Sequence, residues 1–367
     1  MSDLRPAARA PLLVLGFAAL VAGTAGGLAR LGVVLPAPTG GVAWHGALMA
    51  SGFFGTLIAL ERAVAIGRLW AYAAPAANGA GGVALLLGAW QAAFALFVLG
   101  AAFFTLASTA IWLRQRALHT GVLALGALAL LVANVALLAG RPIEAVAASW
   151  IAFFVLTIGG ERLELSRLMP VSRRARLAFT AISVALLASA LCATFVPHEP
   201  ALRVNGLLML AVAAWLVRHD IATRTVRATG LTRYIALSLL AGYAWLAFGG
   251  GVLVATGGPA AGRAFWDAAL HAILVGFVFS MVFGHAPVIL PAVLRVVFPY
   301  HPALYAALVL LHAALAVRIA GDLAASASLR AAGGLGNAAA IALFILTAVA
   351  LVLAGGAGKR LATARST

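Results

Sequence analysis

Long apolar runs separated by short polar breaks dominate the chain from end to end. Twelve runs approach the roughly 20 apolar residues that a helix needs to cross a bilayer. They fall at about 11–33, 41–60, 71–90, 92–113, 120–140, 144–161, 177–196, 201–217, 234–256, 265–291, 302–321 and 333–356. The breaks leave no room for a soluble domain, so the pattern predicts a single all-α membrane domain over residues 1–367. Little more than Trp90 and Gln91 separates the third and fourth runs, which predicts a tight hairpin there. Pro287 and Pro291 predict that the tenth helix is broken near one end. Pro11 to Ala29 reads as the first span rather than as a cleaved signal segment.

Composition agrees with the pattern and adds an orientation. The chain is 64% hydrophobic and only 9% charged, where a soluble domain carries about a quarter charged residues. Its net charge of +16 is explained by position. Nineteen of the 25 Lys and Arg fall on one side of the predicted spans, from Arg5 and Arg9 at one end of the chain to Lys359, Arg360 and Arg365 at the other. Six, including Arg30, Arg318 and Arg330, fall on the opposite side. That is the positive-inside bias, and it predicts cytoplasmic termini. Anionic lipid headgroups, not nucleic acid, are the partners that such basic loops imply. The single cysteine, Cys192, excludes an internal disulfide and a thiolate cluster. A metal or cofactor would have to be held by His, Met, Asp, Glu or Tyr.

Histidine inside a bilayer is costly and usually functional. His45 lies near the start of the second run, and His271 and His285 lie within the tenth. The orientation places His45 and His271 at similar depth near the outer face, with His285 across the membrane. Two imidazoles at one level on neighbouring helices are what an axial bis-histidine haem requires. Gly52, seven residues beyond His45, would share its face and could let a porphyrin approach. Asp267, one turn before His271, could fix that ring's tautomer. Plainer uses exist for each: a hydrogen bond between helices, a packing glycine, a first-turn acid.

A second group gathers at the other end. The second run closes on Glu61-Arg62 and the sixth on Glu161-Arg162, with His285 at the matching depth in the tenth. Together they could form a proton path, an acceptor for quinol protons or a second ligand site. The simpler expectation is that each glutamate pairs with a nearby arginine at the interface. His312, well inside the eleventh run, could reach a haem or His285, or make a packing hydrogen bond. His119, His219 and His301 fall at helix ends, and His198 falls in a turn.

Trp44, His45, Met49, Gly52 and Phe53 form W-H-x-x-x-M-x-x-G-F in the second run. Leu270, His271, Ala272, Val275 and Gly276 form L-H-A-x-x-V-G in the tenth, followed by Gly284-His285. These segments resemble the corresponding spans of the NnrS family, and more distantly subunit I of the haem-copper oxidases. The resemblance implies a twelve-span bacterial inner-membrane protein that binds haem and is linked to denitrification and nitric-oxide stress. It implies His45 and His271 as iron ligands of one haem b. Two departures remove copper from the expectation: Ala47 and Leu48 stand where the family has histidine and glutamate, and spans six and seven hold no histidine.

Three functions therefore stand open. The first is an NnrS-like haem protein for electron transfer or nitric-oxide response. The second is an oxidoreductase that takes electrons from quinol. The third is a twelve-span secondary transporter, which a stride of four spans (second, sixth, tenth) fits less well than two six-span halves would.

Overall fold

A computed structural model describes residues 3–36, 39–196 and 199–365; His198 lies outside them. The described residues form helices joined by short turns: α1 (Pro6–Arg30), α2 (His45–Ile66), α3 (Ala73–Leu86), α4 (Trp90–Arg114), α5 (Leu118–Leu138), α6 (Ile143–Leu165), α7 (Arg173–Phe195), α8 (Glu199–His219), α9 (Gly230–Thr256), α10 (Arg263–Leu294), α11 (Leu304–Leu323) and α12 (Ala327–Arg365). Eleven of these are long and apolar enough to cross a membrane, so the chain is a multi-pass membrane protein. The exception is α3, whose 14 residues fall short of the run expected at 71–90. The chain leaves α3 through Gly88 at φ +79°, a left-handed turn that glycine takes without a Cβ clash. The hairpin therefore turns at Leu87–Ala89, and Trp90 opens α4 rather than sitting in the connection.

Two of the helices are not α-helical throughout. Leu48–Phe54 in α2 and Ala272–Phe279 in α10 are wound as π-helix, each beginning within three residues of a histidine. The i→i+5 pattern is rare and takes more residues per turn, so it rotates everything that follows relative to an unbroken α-helix. Gly52 still faces α1, the helix that His45 also contacts. A Cβ at Gly52 would lie 3.0 Å from the Ala19 side chain and 3.8 Å from Gly82. The glycine serves the packing of α1, α2 and α3. Beyond its π segment α10 continues through Pro287 and Pro291 to Leu294, without the expected break. Membrane helices tolerate proline where neighbouring groups cover the freed carbonyls.

Helix α6 occupies the middle, with 89% of its apolar window buried. It meets both π-wound helices in a layer of phenylalanines. Phe54 of α2 packs edge-on against Phe154 of α6 at 4.8 Å and against Phe279 of α10 at 5.2 Å. Phe53 lies parallel to Phe279 at 6.2 Å and contacts Phe17 of α1 at 5.8 Å. Helices α2, α6 and α10 thus share one core. Such tilted and offset pairs are the preferred aromatic geometries.

One buried amide links four helices beside this layer. The Ser51 hydroxyl of α2 donates to Asn134 Oδ1 of α5 at 2.6 Å, and Asn134 Nδ2 donates to the Phe97 carbonyl of α4 at 3.0 Å. Trp150 Nε1 of α6 reaches the same oxygen at 3.5 Å. In a bilayer such hydrogen bonds contribute about 0.6 kcal/mol each, up to ~1.7 kcal/mol. Asn134→Ala is expected to lower stability by about 1–2 kcal/mol, seen as a lower unfolding temperature in detergent. An unchanged temperature would remove Asn134 from the links that hold α2 to α6.

Candidate functional site

His45 and His271 come together at one end of the bundle, close enough for the charge of His45 to act on His271. Each ring is held by one nitrogen. His45 Nδ1 lies 2.6 Å from the Gly23 carbonyl of α1, and His271 Nδ1 lies 2.8 Å from the Asp267 carbonyl one turn earlier. With Nδ1–H donating to a carbonyl, Nε2 keeps its lone pair, which is the tautomer that binds a metal. Neither Nε2 has a hydrogen-bond partner among the described residues. The close glycine is Gly27: a Cβ there would sit 2.9 Å from the His45 ring.

Asp267 plays a larger part than expected. Its carboxylate lies 3.3 Å from His271 Nδ1, and its other oxygen accepts from Arg318 Nη2 at 2.7 Å. Arg318 belongs to α11 and is buried. One turn further on, Asp322 is also buried, with Arg330 Nε 3.9 Å from its carboxylate. Arg30 and Arg318 both act on His45 electrostatically. Sequence reading missed this cluster, although an Arg and an Asp spaced i,i+4 inside an apolar run were a usable signal. The indole N–H of Trp44, beside His45, is buried without a partner.

The opposite end holds a cavity of about 410 Å³ among α1, α2, α6, α10 and α12. The phenylalanine layer forms one wall, and almost every other wall is aliphatic. Four polar side chains line it: Glu61, Glu161, Thr157 and His285. Glu61 of α2 and Glu161 of α6 lie close enough to interact, and neither forms an ion pair among the described residues. The expected Glu–Arg pairing is therefore absent, because the arginines point elsewhere. Arg162 Nη2 donates to His285 Nε2 at 2.9 Å, and its Nε lies 4.0 Å from Asp220 Oδ2. Arg62 Nε is buried with no hydrogen-bond partner. It is Glu164 that is paired, with Arg167 at 2.7 Å and His119 at 3.8 Å.

His285 is not free to bind a metal, since its Nδ1 is bonded to the Met281 carbonyl at 2.8 Å while its Nε2 accepts from Arg162. Asp220, just past the end of α8, is capped by the Ala222 N–H at 2.7 Å. Burial pushes its carboxyl above the usual aspartate range, while Arg162 opposes the shift. His312 stands apart from both ends. It accepts from Trp245 Nε1 at 2.9 Å and lies 3.4 Å from the Ser280 hydroxyl, which is a packing role.

The two ends lie on the same pair of helices, in the same order. On α2 a histidine is followed by a π segment that contains Phe53, then by Glu61; on α10 a histidine is followed by a π segment that ends on Phe279, then by His285. Each phenylalanine stands eight positions after its histidine. The chain belongs to the family described as Domain of unknown function (DUF8744). Its model matches residues 9–353, so the DUF8744 match covers both ends of the bundle. No curated protein and no solved structure matches the chain.

Groups of three or more His, Cys, Asp or Glu placed to hold a metal ion do not occur among the described residues. The DUF8744 chain instead offers two imidazoles at one end and two unpaired carboxyls at the other. Carboxyls in an apolar cavity are the groups that a hydrophobic carbodiimide modifies. Such a reagent is expected to add to Glu61 and Glu161 and to spare the Arg167-paired Glu164, with the added mass lost in Glu61→Gln and Glu161→Gln. Labelling confined to Glu164 would contradict the cavity.

Proposed function

We propose that this protein binds one haem b between His45 and His271 and works as an electron-transfer or nitric-oxide-responsive protein of the bacterial inner membrane, similar to NnrS. The observation that carries the reading is the pair of uncommitted Nε2 atoms, each on a ring whose Nδ1 is locked to a backbone carbonyl. An axial pair needs that arrangement, because the carbonyl bond fixes the tautomer and raises the basicity of the ligating nitrogen. The haem would supply one-electron redox chemistry.

The chain's own residues account for the rest of the site. Gly23 and Asp267 orient the two rings through their carbonyls, and Gly27 leaves room for the His45 ring beside α1. Arg318 and Arg30 place positive charge beside the pair, suited to the carboxylates of a haem edge.

The larger frame belongs to the same proposal: twelve spans, with the short α3 as the third, both termini cytoplasmic, and helices arranged as in the haem-copper oxidases. Support comes from α2, α6 and α10 meeting in one aromatic core, four spans apart in sequence. The three-to-one bias of basic residues supports the orientation. His45 and His271 would hold the iron of that one haem, and copper is not part of the proposal.

Protein purified after expression with haem is expected to show the sharp absorption bands of a low-spin b-type haem. His45→Ala and His271→Ala should each abolish that spectrum or convert it to high spin. Gly27→Val, which crowds the His45 ring, should weaken haem binding by roughly 10–100-fold, as loss of an orienting partner does. A preparation that stays colourless after haem addition would defeat the proposal.

A further inference from the structure

The cavity at the far end has a chemistry of its own, independent of the histidine pair. Its volume of about 410 Å³ lies within the range of sites for small organic ligands. Its walls are aromatic and aliphatic, so most of its occupant must be apolar. Glu61 and Glu161 reach it from two different helices, and neither is engaged by another side chain among the described residues. Carboxylates lining an apolar cavity require donors. An acyl chain alone would leave both without a partner.

Charge narrows the choice further. Arg62 and Arg162 both act on Glu161, and Arg162 also faces Asp220. A hydrophobic cation would meet Arg162 beside His285 and gain little. A neutral ring with a hydroxyl on either side meets the need, one donor for each carboxyl. His285 cannot serve as the donor, because its Nδ1 is bonded to Met281 and its Nε2 to Arg162.

The cavity also has a way in from the bilayer. Val349 and Leu353 of α12 line it, yet they are 52% and 68% exposed on the outside of the bundle. Leu13 and Phe17 line it too, and the same two residues border a groove on the outer face of α1. A ligand with its ring inside could therefore leave an apolar tail among the lipids. A water-soluble ligand would find no such path.

We infer that this cavity binds a prenylated hydroquinone, whose two hydroxyls donate to Glu61 and Glu161 and whose tail runs out past α12. The reduced form is preferred, since the cavity presents acceptors and the quinone carries no O–H to give them. Binding requires neither His45 nor His271.

The test uses full-length protein in detergent, without haem, titrated with decylubiquinol while its unfolding temperature is followed. Saturable stabilisation is expected, with decylubiquinone and the dimethyl ether of the quinol binding at least ~10-fold more weakly, the usual loss when a charge-assisted hydrogen bond goes. Glu61→Gln and Glu161→Gln should each weaken the quinol by a similar factor. Ala286→Phe, which adds bulk to the cavity and keeps both carboxyls, should abolish binding. His45→Ala and His271→Ala should leave it unchanged, so failure of the haem proposal and failure of this one give different results. Equal binding of quinol and dimethyl ether would overturn the inference and leave only a groove for lipid tails. Tighter binding of tetraphenylphosphonium than of the quinol would overturn it in favour of a cation site. Absence of any saturable stabilisation in the unaltered protein would overturn it outright.

Discussion

Burial of α6 on nearly every side puts its charged end inside the bundle, and the organisation of that end depends on how those charges are met. Arg162 is 5% exposed. A buried cation needs partners, and it takes them from two other helices' ends: the His285 imidazole of α10 at 2.9 Å and, more loosely, the Asp220 carboxylate at 4.0 Å. The preceding residue, Glu161, is then left without an arginine. It turns into the cavity, where it meets Glu61 of α2. One buried arginine thus ties α6 to α10 and leaves the acids available.

The histidine end solves a different problem by similar means. There the polar groups are the two rings, and each is anchored through the backbone rather than through another side chain. A carbonyl such as that of Gly23, already in a helix, has a second lone pair to offer. Use of that lone pair for Nδ1 leaves Nε2 unspent. The Asp267–Arg318 pair, with Asp322 and Arg330 beyond it, then sets the charge around the rings. Between the two ends the phenylalanines form an apolar layer in which the hydroxyls of Ser51, Thr56 and Ser280 are each spent on a hydrogen bond. Phe53 and Phe54, from one π segment, pack on Phe279 from the other, and Phe54 carries the layer on to Phe154 of α6.

Several errors in the sequence reading share a physical origin. Glu61 and Glu161 were expected to pair with adjacent arginines, since adjacency is all that a sequence shows. In the fold, the partners of Arg162 come from residues 123 and 58 positions away. Arg318 was counted only towards the charge of the outer side, because it lies near the end of an apolar run. Its real partner, Asp267, is on another helix. Hydropathy sees a residue's neighbours in sequence, and these polar groups are settled by neighbours in space.

The apolar runs by themselves determined the helices, their number to within the short α3, and membrane residence, because backbone groups in lipid can be satisfied only within a helix or a closed barrel. They also singled out His45, His271 and His285 as polar groups with no local reason to lie in an apolar run. Tertiary structure alone decided which of these are committed. His285 is bonded at both nitrogens, while His45 and His271 each keep one free, and that difference depends on a carbonyl of α1 and an arginine of α6 that no spacing rule brings into view. The cavity with its two acids is likewise a product of packing: it exists only where five helices, distant in sequence, fail to fill the space between them.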